Sequence, residues 1–565
     1  MVNARWPNAQ LANEVAPWRW SRAVDGCKGT LHGSTFTTNT DEHPEAVRLM
    51  KWGAEAEPYV HGYWEWDWGD AYAPVTKVQR RGATVSLSYA TAPLCKKGAR
   101  WMGVNLLCEL DSPREFYIDV ANQRVLFARP PFLTSPSPAP HLPIISPSSA
   151  PNKPLIIPPS PHWPQVYFFP PSVPSVDGPA VVLMYQPGGV LNVTSAAQDV
   201  RITNMSVVNG RHAGILAAGA SGLRIDAMSI HAHGTHGIVA TGVAGGTGAR
   251  IADSEVYDVG CSGIRATAGE ADALVAGGLT VADNHVHHVA QWKRSYMPAI
   301  YWGGVQNTFA RNVVEHHPHA CFVGGGDFED GVDNVFEENT LHNCVYETLD
   351  AGGFYSSGQS GTAFTNRGNV LRGNTFTKIL DHAAGTGVQQ ASVQAVYLDD
   401  QQSGWSVIGN TFSDCHICTF IGGGRRNRIE GNRFVRCGTV QYFNDQGITD
   451  PSINGVGMVN CSEVLAPFQT VCSTGAATWM TTQGPAAAAW ARRWPEMTTI
   501  MEDSPGYPAF NAIVNNSYCR NLSAPVHEFV SGNVDPSCPD FGPGCQRVLA
   551  SWKVEVRDNR ETHDC

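Results

Sequence analysis

The chain has 565 residues, of which only 16% are charged and 57 are glycine, and its formal net charge is −11. The acidic balance excludes a polyanion binder, because neutralising phosphates needs a basic surface. No apolar run reaches the roughly 18 residues that a membrane helix needs, and "MVNARWPNAQ" lacks the basic start and apolar block of a secretory signal.

Residues 1–131 carry no repeat. Alternation of Trp64, Glu65, Trp66, Asp67 and Trp68 in "HGYWEWDWGDAY" predicts a β-strand with one tryptophan face. That face suits either a platform for sugar stacking or a core packed against the rest of the protein; burial of tryptophan favours the core. Residues 132–176 are proline- and serine-rich, which predicts an extended, partly disordered insertion.

From 177 to 450 the chain repeats itself. The rows "RITNMSVVNG", "RIDAMSIHAH", "RIADSEVYDV", "TVADNHVHHV", "TFARNVVEHH", "VFEENTLHNC", "VLRGNTFTKI", "SVIGNTFSDC" and "RIEGNRFVRC" align without gaps. Their second position is Ile202, Ile225, Ile251, Val281, Phe309, Phe336, Leu371, Val407 and Ile429, and five residues later stand Val207, Ile230, Val256, Val286, Val314, Leu341, Phe376, Phe412 and Phe434. The last six rows share Asn284, Asn312, Asn339, Asn374, Asn410 and Asn432. Successive asparagines are 22 to 36 residues apart. A coil of 22 residues is too short for paired helices and fits one turn of a parallel β-helix. The fold class is therefore all-β, a single-stranded right-handed parallel β-helix with about nine recognisable coils, a β-rich N-terminal region and a short C-terminal helix. Both apolar columns should face inward and stack about 4.8 Å apart. The asparagines should sit at a bend, where Asn tolerates left-handed geometry and its amide bonds to the next rung. His231, Tyr257, His287, Glu315 and His342 should face outward. Cys344, Cys415 and Cys437 should point inward or into the next turn, with Cys415 and Cys437 close enough for a disulfide or stacked as buried thiols.

After about 450 the pattern thins into a C-terminal extension, 451–565, in which "PAAAAWARRWPEMTTIMED" reads as one helix. Fifteen cysteines leave at least one unpaired or bonded to another chain. The late ones, Cys461, Cys472, Cys519, Cys538, Cys545 and Cys565, point to an oxidising compartment.

In this order, "ARWPN", "HGYWEWDW", "ELDSPREFYID", "QWKRSYMPAI", "LDAGGFY", "YLDD", "IGGGRRNRIEGNRFVRC" and "ARRWPEM" resemble a large family of right-handed parallel β-helix repeat proteins in the pectate-lyase-like superfold. The similarity covers nearly the whole chain outside the proline-rich insertion and the last cysteine-bearing stretch. It implies a relation to glycoside hydrolase family 141, in which aspartates on the β-helix are proposed to act. Family members carry a further portion before the "ARWPN" region, after a signal peptide. The resemblance thus implies an incomplete N-terminus and an extracellular or secretory-pathway protein.

Glycosidic cleavage needs two carboxyl groups, one to protonate the leaving oxygen and one as nucleophile or base. Asp327 in "VGGGDF", Asp350 in "LDAGGFY" and Asp399–Asp400 in "VYLDDQQSG" are the candidates, with Asp350 and Asp399 as the leading pair and His319 beside them. Gly324, Gly325, Gly326, Gly352 and Gly353 would leave an open floor for a sugar ring. Trp292, Lys293, Arg294, Tyr355, Tyr397 and Arg425 complete the substrate-binding set. Alignment through the shared tyrosine puts Asp350 at its strand's start and Asp399 at its strand's end, some 20 Å apart, against the roughly 5–10 Å either mechanism uses. The pair therefore requires a bend. Otherwise Asp350 groups with His319 and Glu347, and Asp399–Asp400 with Asp327 and Arg425, or the aspartates merely cap turns.

"HVHH" and "HHPH" could offer zinc ligands, but no carboxylate or cysteine spacing completes a pattern, so no metal is assigned. A calcium site from Asp399, Asp400 and Asp327 is the one cofactor to weigh. Three functions compete: a hydrolase of poly- or oligosaccharide, a polysaccharide lyase using calcium or a basic residue, and a non-catalytic binding or structural module. Neither nucleic acid nor a membrane span is expected as a partner, and the oligomeric state is left open.

Overall fold

The computed structural model describes residues 20–110 apart from 24, 31–32, 40–43 and 91–94. It also describes Val2–Asn3, Arg5–Trp6, Glu115–Asp119 and Arg124–Phe127, and then 188–562 apart from 244–247, 327, 330, 359–364, 382–392, 445–484, 501–507, 520–526, 531–537, 540–548 and 551. The proline-rich segment 132–176 lies outside the described residues. The chain divides into two units, Met1–Met184 and Tyr185–Cys565.

The first unit is built on antiparallel strands, Tyr59–Tyr63, Asp70–Arg81, Thr84–Tyr89, Gly33–Asn39 and Arg100–Val104 among them. Its core gathers Phe36, Trp52, Trp64, Tyr89 and Trp101. The expected tryptophan-faced strand is not one. Tyr59–Tyr63 ends before Trp64, and 64–69 make the turn into the next strand. Trp64 drops into the core, whereas Trp66 is 48% exposed and stacks on Trp68 at 5.9 Å. Alternation was misleading here because a hairpin turn also throws successive side chains to opposite sides.

The second unit is a parallel β-helix. Each coil contributes to three sheets. Sheet 1 holds long strands such as Ile300–Val305, Ala351–Ser357, Val393–Asp399 and Ile417–Gly422. Sheet 2 holds the three-residue strands around the first apolar column, and sheet 3 those around the second. Every row pairs with the next in register, Ile225 with Ile251, Ile251 with Val281, Val281 with Phe309, and so on to Ile429. Both columns are buried throughout. Phe309 stacks on Phe336 at 5.0 Å, Phe376 on Phe412 at 4.7 Å and Phe412 on Phe434 at 4.9 Å, so ring spacing follows rung spacing. Each such ring contributes about 2–3 kcal/mol by leaving water.

The solenoid continues past the boundary expected at 450. Ala512–Val514 and Glu555–Arg557 extend sheet 2, and Ser517–Cys519 and Arg560–Thr562 extend sheet 3. The repeat escapes notice because Asn432 bonds to Asn516, 84 positions on, across a long insertion. The predicted helix covers only Pro485–Arg493, with a 3-10 turn at Pro495–Thr498; Pro495 lacks the N–H that would prolong it.

The asparagines form a buried ladder. Asn339 Nδ2 donates to Phe309 O at 2.9 Å and Asn374 Oδ1 at 3.0 Å, while its Oδ1 accepts from the N–H and Nδ2 of Asn312, both at 2.9 Å. The left-handed residue at the bend is the one before the asparagine: Asp283, Arg311, Glu338, Gly373, Gly409 and Gly431 have positive φ. Asparagine is needed for its amide, not for its backbone freedom. A second ladder runs through Asn307, Asn334 and Asn369, then Asn427 and Asn511. It stands two residues before the first apolar column, where an aligned "N" was there to be read.

Cys321 pairs with Cys344 and Cys418 with Cys437, while Cys415 is a buried free thiol. The Cys415–Cys437 disulfide is thus excluded, because Cys437 has its partner on sheet 1.

Replacing Asn339 by Ala removes four hydrogen bonds and strands the buried Asn312 N–H. The substitution should cost about 2–4 kcal/mol, read as a lower urea midpoint. An unchanged midpoint would mean that the ladder does not hold the coils.

Candidate active site

On sheet 1 the strand Ala351–Ser357 lies beside Val393–Asp399, with Tyr355 opposite Tyr397 and Ser357 opposite Asp399. The two tyrosine rings point outward on adjacent rungs, 5.1 Å apart and tilted by 41°. Their hydroxyls cross over. Tyr397 donates to Asp350 Oδ1 on the neighbouring coil at 3.2 Å, and Tyr355 donates to Asp399 Oδ2 at 3.1 Å. The backbone N–H of Asp400 donates to Asp399 Oδ1 at 2.9 Å, and Ser357 Oγ donates to Asp400 Oδ2 at 2.7 Å. Asp350 and Asp399 therefore do sit at opposite strand ends, as the alignment required, yet one tyrosine pair ties them together.

Ala351–Ser357 and Val393–Asp399 run unbroken, and the left-handed residues flank these strands rather than bending them. Asp350 has φ 52°, and Asp400 and Gln401 have φ 46° and 67°. A non-glycine residue in this region carries about 1–3 kcal/mol of strain, so neighbouring contacts must hold these carboxylates in place. Gly352 makes the crossing of the tyrosines feasible. A Cβ there would lie 2.6 Å from Tyr397 Cβ, in the way of the ring that reaches back to Asp350.

The carboxyl groups differ in their surroundings. Asp399 and Asp400 are each 8% exposed, whereas Asp350 opens to solvent. Burial, with repulsion from Asp400 and then Asp350, holds the Asp399 carboxyl well above the usual aspartate range. Desolvation also raises Asp350, opposed by the Tyr397 hydrogen bond. Although its surface is open, protein atoms crowd the remaining sides of Asp350, as in a recess. Burial, followed by the charges of Asp350, Asp399 and Asp400, pushes the Tyr296 hydroxyl well above the usual tyrosine range, so it stays protonated. Around the acids lies an outward aromatic patch of Tyr355, Tyr397 and Phe420, with Tyr296, Phe328 and Tyr442 half-buried at its rim.

The other expected site residues separate from one another. His319 is fully buried with its ring 4.7 Å from Tyr296, which places it under the patch. Arg294 is a correction. Its guanidinium is fully buried in a two-pronged pair with Glu347, Nε to Oε1 and Nη2 to Oε2 at 3.0 Å each, and also donates to Ala290 O and the Tyr346 hydroxyl. That pairing also removes Glu347 from the alternative cluster with Asp350. Lys293 donates to Ser295 Oγ at 3.2 Å, Trp292 lies half-buried against Gly260, and Arg425 is buried with its guanidinium 5.5 Å from the Phe510 ring. Asp327 lies outside the described residues.

The glycines do not form an open floor. Gly324, Gly325 and Gly326 are buried, and an added Cβ would strike Trp302, Asn366 or the Ser357 carbonyl. Their role is to let backbone and indole pack closely. The aromatic rim residues Tyr296, Phe328, Phe420 and Tyr442 were missed because they come from separate coils. Their signal was faint: "TFIG" and "VQYF" align with "VYLD" through Phe420 and Tyr442.

No family model matches the chain, and no curated protein matches it. A solved structure described as a glycoside hydrolase is similar over 74% of this chain and 75% of its own, at 10% identity and a TM-score of 0.37.

If Arg294 is a structural cation, Glu347→Ala should cost about 3–5 kcal/mol by leaving a buried charge alone. A double Arg294→Met/Glu347→Ala variant should recover much of the lost thermal midpoint. Equal loss in both proteins would argue against the pairing.

Proposed function

We propose that this protein is a carbohydrate-active enzyme, a glycoside hydrolase that cuts a poly- or oligosaccharide at the outer face of sheet 1. The observation carrying this reading is that Asp350 and Asp399, in unlike environments, are bridged by one crossed tyrosine pair beside an aromatic patch. Carboxyl groups with separated proton affinities are what acid-assisted glycosidic cleavage uses.

In this reading Asp399 is the general acid. Its burial and the flanking carboxylates favour the protonated form, and that proton passes to the leaving oxygen. Asp350, open to solvent and stabilised as an anion by the Tyr397 hydroxyl, serves as nucleophile or as base toward water. Asp400, held by Ser357, keeps negative charge next to Asp399 and so maintains its affinity for the proton. The aromatic rim offers apolar faces for a sugar ring. Binding of Arg294 to Glu347 weakens the lyase alternative, since that cation is already neutralised. The Cys321–Cys344 and Cys418–Cys437 disulfides support an extracellular or secretory-pathway setting.

Against a panel of polysaccharides and oligosaccharides, the wild type should release new reducing ends without an ultraviolet-absorbing unsaturated product. Asp350→Asn and Asp399→Asn should each lower kcat by about 10²–10⁴-fold. Release of unsaturated product would identify a lyase, and binding without cleavage a non-catalytic module.

The tyrosines give a sharper test through pH. The Tyr397 bond lowers the Asp350 pKa and the Tyr355 bond lowers that of Asp399. Tyr397→Phe should therefore raise the Asp350 pKa and move the acidic limb of kcat/KM to higher pH. Tyr355→Phe should raise the Asp399 pKa and move the alkaline limb to higher pH. Exchange of the two effects would reverse the acid and base assignments.

A further inference from the structure

Sheet 3 carries a separate group of ligating side chains on its outer face. Glu255–Tyr257, His285–His287 and Val313–His317 are neighbouring strands, with Glu255 opposite His285, Tyr257 opposite His287 and His287 opposite Glu315. Because side chains alternate along a strand, Glu255, His285, His287 and Glu315 share one face. One ligand atom from each of Glu255, His285 and His287 lies within 4.8 Å of the other two. His287 Nε2 is 3.3 Å and His285 Nδ1 is 3.8 Å from the same Glu255 oxygen. Bonds of roughly 2.0–2.1 Å in a tetrahedron put ligand atoms about 3.3 Å apart, so the three atoms need to shift little to share an ion.

A second observation concerns the nitrogens that face away. His285 Nε2 is 2.8 Å from Glu315 Oε1, and His287 Nδ1 is 2.8 Å from His288 Nδ1. In each imidazole the far nitrogen can carry the proton and donate it to a neighbour, leaving the near nitrogen as a lone-pair ligand. Metal-binding histidines are oriented in this way, often by a carboxylate. Stacking of Tyr257 on His287 at 5.1 Å and on His231 at 4.6 Å braces one ring from the side. Glu255 and His285 are 49% and 40% exposed, so an ion can enter from solvent and keep water in the remaining position.

We propose that Glu255, His285 and His287 form a binding site for a divalent transition-metal ion, zinc in the first instance, with Glu315 and His288 as the residues that orient the two imidazoles. Two imidazoles and one carboxylate suit zinc and its neighbours better than calcium or magnesium, which take all-oxygen sets. The spacing in "HVHH" lacked a carboxylate in sequence because Glu255 stands thirty positions earlier than His285 and joins it only by rung stacking. The site lies on sheet 3 and does not depend on the reading of the aspartates on sheet 1.

Calorimetric titration of the full chain with Zn²⁺ should give a saturable one-to-one component. A His285→Gln/His287→Gln variant should lose it, and Glu315→Gln should weaken it about 10–100-fold. Absence of that component in the wild type, or its survival in the double variant, would overturn the site. Cobalt provides a check that needs no variant. Co²⁺ should give ligand-field bands in the visible without thiolate charge-transfer absorption. Thiolate bands would place the ion on cysteines and overturn the assignment.

Discussion

The second unit rests on one constraint: equivalent residues of successive coils must meet in register. Parallel pairing supplies hydrogen bonds along the sheets, but the corner between sheets 2 and 3 would leave buried amides without partners. The asparagine ladder fills that gap. Each amide satisfies a carbonyl on the preceding coil and receives the N–H of the preceding corner, so every corner is built on the one after it. The apolar columns add attraction without direction, and the amides add direction. Together they specify a register that either alone would leave free to slip.

That rigidity has a use at sheet 1. Strained backbone at Asp350, Asp400 and Gln401 persists only where surroundings over-determine it. Here the surroundings include an interior in which Phe354, from the strand Ala351–Ser357, is in mutual ring contact with Trp302 and Trp405. An immobile floor lets tyrosines from adjacent rungs cross and meet each other's aspartates. It also keeps carboxyl groups of like charge in a poorly solvated place, which raises the proton affinity of Asp399. The same geometry that repeats harmlessly elsewhere thus becomes chemically uneven where the coil corners lengthen.

Sheet 3 presents the converse case. Its outward column was visible as His231, Tyr257, His287, Glu315 and His342, and the rungs turn a list of residues thirty apart into a ladder of neighbours. A spacing rule for metal ligands works along a helix or a tight loop. In a solenoid the relevant spacing runs across coils, and its length varies with every loop.

The fold and its interior were legible in the amino-acid order, because a stack repeats the same inward positions on each turn. Ile225, Ile251, Val281 and Phe309 declare themselves by recurrence, and so do the asparagines. The candidate aspartates were legible as residues but not as a pair. Only the tertiary structure decided that Tyr355 and Tyr397 link Asp350 to Asp399, that Arg294 is spent on Glu347, that the glycine run packs against Trp302, and that coils resume after a long insertion. The physical reason is the same in each case: these contacts run between rungs, through side chains whose direction depends on bends that have no period.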